Sequence, residues 1–271
     1  MEIAIRPVTC KSALTGCGGS YRLNPYVGCE HACVYCYATY IARWRGEAGP
    51  WGTWLQAKTN IAEVLQRELR RRPGAHIMLS TVCDVYQPAE RQYRLTQQCL
   101  TVLAEAAKND RQLEIFVLTK SDLVCRDLDL LTCFPREQLR IGFSITTARD
   151  DVGALLEPHA SRPSRRLAAA RTLREAGLRV GLLFAPTLPY VTERELPRLL
   201  QMAREARLEC MGFDPCNYLN RHVGNRLAQA YRRLGPTALA RLNEARGDPH
   251  YEKHLRAWIE RCQSAIAPSN E

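Results

Sequence analysis

The sequence lacks the two features that would place a chain in or across a membrane. No apolar run approaches the roughly 20 residues that a spanning helix needs. No charged-then-apolar leader opens the chain either. We therefore predict a soluble, cytoplasmic protein with no membrane partner. Its 271 residues, 46% of them hydrophobic, are enough to bury one large core of the size typical of an α/β barrel.

Lysine is scarce, because only five of the 38 basic residues are lysine and the rest are arginine. The net charge of +10 would attract a phosphate backbone, so nucleic acid is one predicted partner. Arginine clusters at 67–72, 162–166 and 232–233 fall on predicted helices or their entrances, where a solvated face is the usual explanation. Charge alone therefore leaves nucleic-acid contact open, and the sequence does not indicate an oligomeric state.

A disulfide scaffold is also excluded, although the chain has 12 cysteines, because such scaffolds belong to short secreted chains, so we expect most of the thiols to be reduced. Cys29, Cys33 and Cys36 form a C-x3-C-x2-C motif. The loop that carries it begins at Asn24-Pro25, and Gly28 gives its backbone conformational freedom. Closely spaced thiolates bind iron–sulfur clusters or zinc. Three ligands leave a position open, which indicates an iron site that does chemistry. A zinc module with a distant fourth ligand is the alternative, although closed zinc sites usually show paired C-x2-C motifs.

The other cysteines show no such spacing. We expect Cys99, Cys125, Cys133 and Cys262 to be small buried hydrophobic residues. An auxiliary cluster built from the remaining cysteines stays open.

At the triad the sequence resembles the radical S-adenosylmethionine (radical SAM) enzymes, whose motif also carries an aromatic residue before the last cysteine, as at Tyr35. The run NPYVGCEHACVYCYA, followed by CDVYQPAE, LTKSDLVCRDLDLL and FSITT, is similar to the spore photoproduct lyase-like branch, often labelled DNA repair photolyase-like. This resemblance covers roughly residues 20–215, most of the chain.

The resemblance implies a [4Fe-4S] cluster on Cys29, Cys33 and Cys36 whose fourth iron binds S-adenosylmethionine. Reductive cleavage would then give a radical that abstracts a hydrogen atom, with flavodoxin or ferredoxin as the electron donor. The substrate it implies is a nucleic acid, although the C-terminal third shows no counterpart of a lesion-binding hairpin. A peptide or small-metabolite substrate, or a non-catalytic electron-transfer protein, are the alternatives.

Apolar runs alternate with helical patterns along the chain, which predicts a parallel sheet. Predicted strands lie near 21–27 and at 76–83, 113–119, 140–145, 179–184 and 208–213, and predicted helices include 89–108, 161–176 and one from a Thr192/Glu195 capping box. Six strands fit the partial (βα)6 barrel that the resemblance implies. We predict a core domain over 1–216 and a helical C-terminal extension over 217–271.

Polar residues at strand ends are the predicted cofactor contacts, because working groups stand at the carboxyl ends of barrel strands. Asp84 is predicted to accept from the ammonium of S-adenosylmethionine, and Lys120 and Ser144 to donate to its carboxylate. Ser80 and Thr146 belong to the same predicted set. Turn capping by Ser144 and Asp84, with a solvated Lys120, is the alternative.

Three residues near the motif have further predicted roles. Tyr35 and Tyr37 flank the last cysteine and are predicted to stack near the adenine or cover the cluster, although ordinary packing would also explain them. Cys83 ends a predicted strand near the position where the resemblance implies a cysteine that returns a hydrogen atom to the product radical. Plain burial is the alternative for Cys83.

Overall fold

A computed structural model describes residues 3–47, 49–215 and 224–266. The strands are β1 (Ala4–Val8), β2 (Leu14–Cys17), β3 (Ser20–Leu23), β4 (Tyr26–Val27), β5 (Trp54–Lys58), β6 (His76–Leu79), β7 (Glu114–Thr119), β8 (Leu139–Ser144), β9 (Arg179–Phe184) and β10 (Glu209–Phe213). The helices are α1 (Tyr40–Trp44), α2 (Ile61–Leu69), α3 (Glu90–Tyr93), α4 (Leu95–Asn109), α5 (Leu128–Leu131), α6 (Asp150–Leu156), α7 (Pro163–Glu175), α8 (Val191–Glu205), α9 (Gly224–Leu234), α10 (Pro236–Gly247) and α11 (Tyr251–Ile266). Two 3-10 turns cover Tyr37–Thr39 and Asp122–Asp127.

The main sheet has seven strands in the order β10-β9-β8-β7-β6-β3-β2. Six of them, β3 and β6 to β10, are parallel, and β2 adds an antiparallel edge. Leu23, Leu79, Val117, Ile141 and Val180 stand in register on five neighbouring strands and are at most 1% exposed. The mixed α/β class with a six-stranded parallel sheet is therefore confirmed.

The first predicted strand is wrong in its bounds, because residues 21–27 form two strands instead of one. β3 ends at Leu23, and β4 joins a second sheet of order β1-β5-β4. Pro25 between them has no backbone N–H to give to a ladder, so the pairing of β3 does not continue through it. The break lets the chain turn away from the barrel just before the cysteine motif.

Two predicted helices also differ from the structure, one by a break in its interior and one in its capping residues. Residues 89–108 form α3 and α4, which are separated by Arg94 at φ +51°. The helix after β9 begins at Val191, and Glu193 accepts from the Tyr190 backbone N–H at 2.7 Å, so the predicted Thr192/Glu195 capping box is wrong. Thr192 and Glu195 instead form hydrogen bonds with the loop after β8. The Thr192 hydroxyl donates to the Thr146 carbonyl, and Glu195 accepts from the Ala148 N–H.

The C-terminal helices lie against the flank of the barrel. The α9 and α10 helices pack on each other, α11 packs on α8, and α9 also contacts α6. Arg241 of α10 pairs with Glu193 at 2.8 Å, and the Tyr231 hydroxyl donates to the Pro189 carbonyl at 2.6 Å. These contacts hold the helices to the core, while the domain division at 216/217 falls on residues outside the described ranges and stays a prediction.

The predicted burial of single cysteines is confirmed for Cys99, which is 0% exposed. It is wrong for Cys133, which is exposed, while Cys125 and Cys262 are only partly buried. Among the described residues, no helix is long and apolar enough to cross a membrane.

Candidate active site

The cysteine motif lies in a loop whose backbone is fixed by its neighbours. Gly28 takes φ +91°, and a Cβ there would stand 2.7 Å from the Trp54 carbonyl oxygen, so only glycine fits. The Cys36 N–H donates to the Cys33 carbonyl at 3.1 Å, and the Val34 N–H donates to Leu156 at 2.9 Å. The loop therefore presents its thiols from a defined backbone.

These thiols open onto a cavity of about 400 Å³ at the carboxyl ends of the parallel strands. Most of its polar and sulfur-bearing walls come from Arg22, Cys29, His31, Cys33, Tyr35, Cys36, Tyr37, Met78, Ser80, Thr81, Cys83, Asp84, Thr119, Lys120, Ser144 and Asp214. All the predicted site residues except Thr146 are in that set. The tertiary fold has brought the motif and the strand-end groups to one cavity.

Burial shapes the chemistry of the three thiols. It raises the pKa of the Cys29 and Cys36 thiols and raises the pKa of Cys33 to about 12, with Lys120 opposing the shift at Cys33. Cys29 and Cys33 are each 7% exposed. Buried thiols of this kind stay protonated until a metal displaces the proton, so the donor set suits a soft metal group.

The described residues contain no three His, Cys, Asp or Glu side chains that would hold a single metal ion together. This arrangement does not contradict a [4Fe-4S] cluster, because each cysteine of such a cluster binds a different iron.

Asp84 joins the ends of two strands. Its carboxylate accepts from the Thr119 hydroxyl at 2.8 Å, from the Lys120 N–H at 2.7 Å and from the Tyr86 N–H at 2.9 Å. Its own N–H donates to the Cys29 sulfur at 3.4 Å. Asp84 is 8% exposed as a residue, so it brings its carboxylate to the cavity wall beside Cys29.

His31, inside the motif, is 2% exposed, so it does not face solvent. Its Nδ1 lies 3.5 Å from an Asp84 carboxylate oxygen. Burial lowers the pKa of this imidazole, and the Asp84 charge opposes that shift.

Lys120 follows β7 and reaches toward the motif. Its Nζ lies 5.8 Å from the centroid of the Tyr35 ring, within cation–π range. The Tyr35 hydroxyl donates to Glu157, which is fully buried and paired with Arg166. Lys120 therefore stands over a ring that is anchored from behind.

The predicted serine and threonine contacts divide into two groups. Ser144 lines the cavity and donates its hydroxyl to the Ala185 carbonyl at 2.5 Å. Ser80, at φ +72°, accepts from the Val85 N–H at 3.0 Å. Thr146 lies behind the wall, is 0% exposed and donates to Glu157 at 3.2 Å.

Tyr37 and Cys83 both line the cavity but differ in exposure. Tyr37 is 44% exposed and donates its hydroxyl to the Thr81 carbonyl. Cys83 is 6% exposed, and its sulfur lies 3.7 Å from the Asn24 side-chain oxygen. Burial raises the pKa of Cys83 to about 12, so it remains a neutral thiol at ordinary pH.

A family model of the radical SAM superfamily matches residues 23–203. The chain belongs to the radical SAM superfamily. It is 32% identical over 178 residues to an uncharacterized protein of Methanocaldococcus jannaschii, covering 66% of this chain and 64% of that one. It is 31% identical over 202 residues to an uncharacterized protein of Mycobacterium tuberculosis H37Rv, covering 70% of this chain and 58% of that one. The chain thus spans about three fifths of the length of these relatives.

Solved structures of radical SAM proteins share the fold. A spore photoproduct lyase variant with bound S-adenosylmethionine and dinucleoside spore photoproduct has a TM-score of 0.64 at 19% identity, over 96% of this chain and 76% of that one. The anSMEcpe protein with bound S-adenosylmethionine and a Cp18Cys peptide has a TM-score of 0.51 at 14% identity, over 79% and 58%. At these identities the likeness concerns the fold alone.

Sequence reasoning missed several residues that this radical SAM protein places at the site. Glu157 and Arg166 form a buried pair behind Tyr35, and Arg166 also donates to the Ser144 carbonyl at 2.9 Å. Arg226 reaches the motif from α9. Arg22 and Asp214 enter the cavity wall from β3 and the end of β10. Of these, only Asp214 carried a signal, since it directly follows the last predicted strand.

Proposed function

We propose that this chain is an enzyme that holds a [4Fe-4S] cluster on Cys29, Cys33 and Cys36 and cleaves S-adenosylmethionine reductively. The observation that carries the proposal is that all three thiols and the strand-end polar groups line one cavity. When bound, the cluster and S-adenosylmethionine supply cleavage of the sulfonium and abstraction of a hydrogen atom from a substrate. An external one-electron donor is needed, and we expect a flavodoxin or ferredoxin.

The polar wall suits the zwitterionic end of S-adenosylmethionine. Lys120 provides a cation for its carboxylate. Ser144 already gives its one O–H to Ala185, so its oxygen is placed to accept from the ammonium rather than to donate. Asp84 supplies the negative charge that the ammonium requires, while its hydrogen bonds hold the ends of β6 and β7 in position.

The other residues that line the cavity or lie behind it would position S-adenosylmethionine and the substrate. Tyr35 and Tyr37 provide ring surface for the adenine or over the cluster. Thr146 acts through Glu157, which it helps to hold in place. Cys83 is a neutral thiol facing the cavity, which is the state required to return a hydrogen atom to a product radical.

The test begins with anaerobic reconstitution, reduction by dithionite and addition of S-adenosylmethionine without substrate. We expect release of 5′-deoxyadenosine, loss of it in Cys33→Ala, and retention in Cys133→Ala, which removes an exposed thiol outside the cavity. A stable cluster that gives no nucleoside and no spectral response to S-adenosylmethionine would instead favour the electron-transfer alternative.

Lys120 can be tested by binding alone. Lys120→Ala in the reconstituted protein should weaken S-adenosylmethionine affinity about tenfold, which corresponds to one lost charge-assisted hydrogen bond of about 1.4 kcal/mol. Lys108→Ala, which removes an exposed lysine paired with Glu105, should leave affinity unchanged. Equal affinities in wild type and Lys120→Ala would remove Lys120 from the site.

We infer that the substrate is a nucleic acid. The support is an aromatic ridge, formed by Tyr37, Tyr40 and Trp44, that runs from the cavity along α1. Tyr37 lies in the 3-10 turn before α1, three positions before Tyr40, and Tyr40 and Trp44 are four positions apart and so share a face of α1. Trp44 is 79% exposed, and its ring lies 5.2 Å from that of Tyr40. Tyr40 is partly buried, so Tyr37 and Trp44 provide the exposed rings of this ridge. Exposed aromatics beside arginines are the surface on which single-stranded bases stack.

Two exposed arginines flank this aromatic ridge, at Arg43 and Arg45. We expect wild type to bind a labelled single-stranded oligonucleotide, with affinity falling as salt rises. Trp44→Ala should weaken binding about fivefold to 100-fold, which is the range for losing one stacked base. Arg111→Gln, which removes an exposed arginine outside the three arginine clusters, serves as a control for charge alone. Absence of binding at moderate salt would remove the nucleic-acid assignment and leave the radical chemistry standing.

A further inference from the structure

The C-terminal extension touches the cysteine motif through one side chain. Arg226, in the first turn of α9, donates from Nη2 to the Ala32 carbonyl at 3.0 Å and to the Cys33 carbonyl at 2.8 Å. The donor and acceptor residues are 194 and 193 positions apart in the chain. One guanidinium nitrogen therefore clamps two consecutive peptide groups inside the C-x3-C segment.

The clamped backbone is an unusual one. Ala32 takes φ +52°, in the left-handed region that residues other than glycine rarely adopt. Gly52 lies directly against it, since a Cβ on Gly52 would come 2.4 Å from the Ala32 Cβ. Hydrogen bonds to both carbonyls from a fixed donor help hold this conformation and the thiol that follows it.

The charge of Arg226 has no carboxylate beside it among the described residues, where the ion pairs formed by arginines involve other side chains. Arg166, the other buried arginine near Cys33, is neutralised by Glu157. Cys36 and Cys33 are the side chains whose charge acts most strongly on the half-buried Arg226. No carboxylate among the described residues therefore neutralises the positive charge of Arg226, and this charge acts on the sulfur atoms of Cys33 and Cys36.

We propose that Arg226 is a positioning residue that fixes the Ala32–Cys33 backbone and raises the reduction potential of the cluster bound by the motif. This inference rests on the proposed function. Adding an electron makes a thiolate-bound cluster more negative by one charge, so a nearby cation stabilises the reduced form more than the oxidised form. Partial burial strengthens that effect, because the effective dielectric constant is lower than in water.

Three substitutions at Arg226 separate charge from hydrogen bonding. Arg226→Gln keeps a donor for the carbonyls and removes the charge, Arg226→Lys keeps the charge, and Arg226→Met removes both. Arg233→Gln, which removes an exposed charge from the same helix, is the matched control. Each reconstituted protein is titrated with dithionite while the reduced cluster is followed by electron paramagnetic resonance, and iron per chain is measured in parallel.

We expect Arg226→Gln to shift the midpoint to more negative potential, by about a tenfold loss in preference for the reduced form, equivalent to about 59 mV for one electron. Arg226→Lys should shift it much less, and Arg233→Gln not at all. We expect Arg226→Met to shift the midpoint as Arg226→Gln does and also to lower iron per chain.

An unchanged midpoint in Arg226→Gln, with the cluster assembled, would overturn the inference. So would a fall in iron content with an unchanged midpoint in the remaining clusters, because that is the result of a purely structural role. Equal shifts in Arg226→Lys and Arg226→Gln would also overturn it. If wild type assembles no [4Fe-4S] cluster, the proposed function fails first, and that outcome is distinct from the other three.

Discussion

Two buried networks in this protein use the same three residue types in different surroundings. In the first, Glu157 is 0% exposed, accepts from the Tyr35 hydroxyl and pairs with Arg166. In the second, Glu90 is also 0% exposed, accepts from the Tyr26 hydroxyl and pairs with Arg126 at 3.0 Å. Composition alone would assign both the same role.

Their outer contacts separate them. The Glu157 network reaches Tyr35 and Ser144, which line the cavity. In the second network, the Glu90 carboxylate accepts hydrogen bonds from the Thr96 N–H at 3.0 Å and the Gln97 N–H at 3.2 Å, both in the first turn of α4. The first holds the wall of a site and the second caps a helix, so a buried ionic cluster indicates function only through what it touches.

The largest expected effect comes from breaking the Glu157 pair on one side. Arg166→Met leaves a buried carboxylate without its cation and should lower the free energy of unfolding by about 4 kcal/mol. A Glu157→Leu/Arg166→Met double variant should recover most of that loss, yet bind S-adenosylmethionine at least tenfold more weakly, because Tyr35 and Ser144 lose their anchors. Denaturant unfolding and equilibrium binding measure the two quantities. Wild-type affinity in the double variant would show that the network does not support the site.

The corresponding change in the second network should affect stability alone. Arg126→Met leaves Glu90 and Asp127 buried without their shared cation, and we expect the free energy of unfolding to fall by about 3 kcal/mol. The side chain of Arg126 is 21% exposed, so water compensates in part. Affinity for S-adenosylmethionine, expressed per folded molecule, should match wild type. A tenfold change in affinity would abolish the distinction between the two networks.

A smaller effect is expected from the two tyrosine hydroxyls. Tyr35→Phe and Tyr26→Phe each remove one hydrogen bond to a buried carboxylate, and each should cost about 1.5 kcal/mol in unfolding free energy. Only Tyr35→Phe should also weaken S-adenosylmethionine binding, by a few-fold, since Tyr35 faces the cavity and lies near Lys120. The comparison is contradicted if Tyr26→Phe weakens binding as much.

The smallest effect concerns pH. Burial raises the pKa of Glu157, but Arg166 and Lys120 more than offset this and leave it lowered. A carboxyl whose pKa is lower in the folded state stabilises the protein above the ordinary glutamate range, and this stabilisation is lost as pH falls through the folded value. Glu157→Gln should therefore lose part of the acid dependence of unfolding measured on the cluster-free chain. Parallel wild-type and Glu157→Gln curves across acid pH would show that Glu157 does not titrate with folding.

Much of the fold followed from local patterns. Alternating apolar runs and helical periodicities predicted the six parallel strands, because strand and helix periods are properties of short segments. The split at Pro25 and the strands β1 and β5 did not follow, since a second sheet depends on segments about 50 residues apart pairing together. The start of α8 was misplaced because its N-cap is Tyr190, which a Ser/Thr capping pattern does not select, while Thr192 and Glu195 form hydrogen bonds with the loop after β8.

The site divides in the same way. The spacing of three cysteines within eight residues predicted the metal-binding motif. The ends of the predicted strands predicted Asp84, Lys120 and Ser144 as site residues. Glu157 carried no signal, because a single Glu after a helix is usually solvated. Arg166 belongs to the 162–166 arginine cluster, for which a solvated face was the usual explanation, and that explanation is wrong for Arg166, which is 0% exposed. The position of Thr146 behind the cavity wall, instead of on it, depends on where Glu157 lies.

The sequence by itself determined the motif, its superfamily and the order of strands and helices, because these depend on covalent spacing and on periods of a few residues. Only the tertiary structure decided which charges meet. Tyr35 contacts Glu157 across 122 positions of sequence, and Arg226 contacts Cys33 across 193. Such pairs form where packing removes water from both partners, and burial of that kind is a property of the folded chain rather than of any segment.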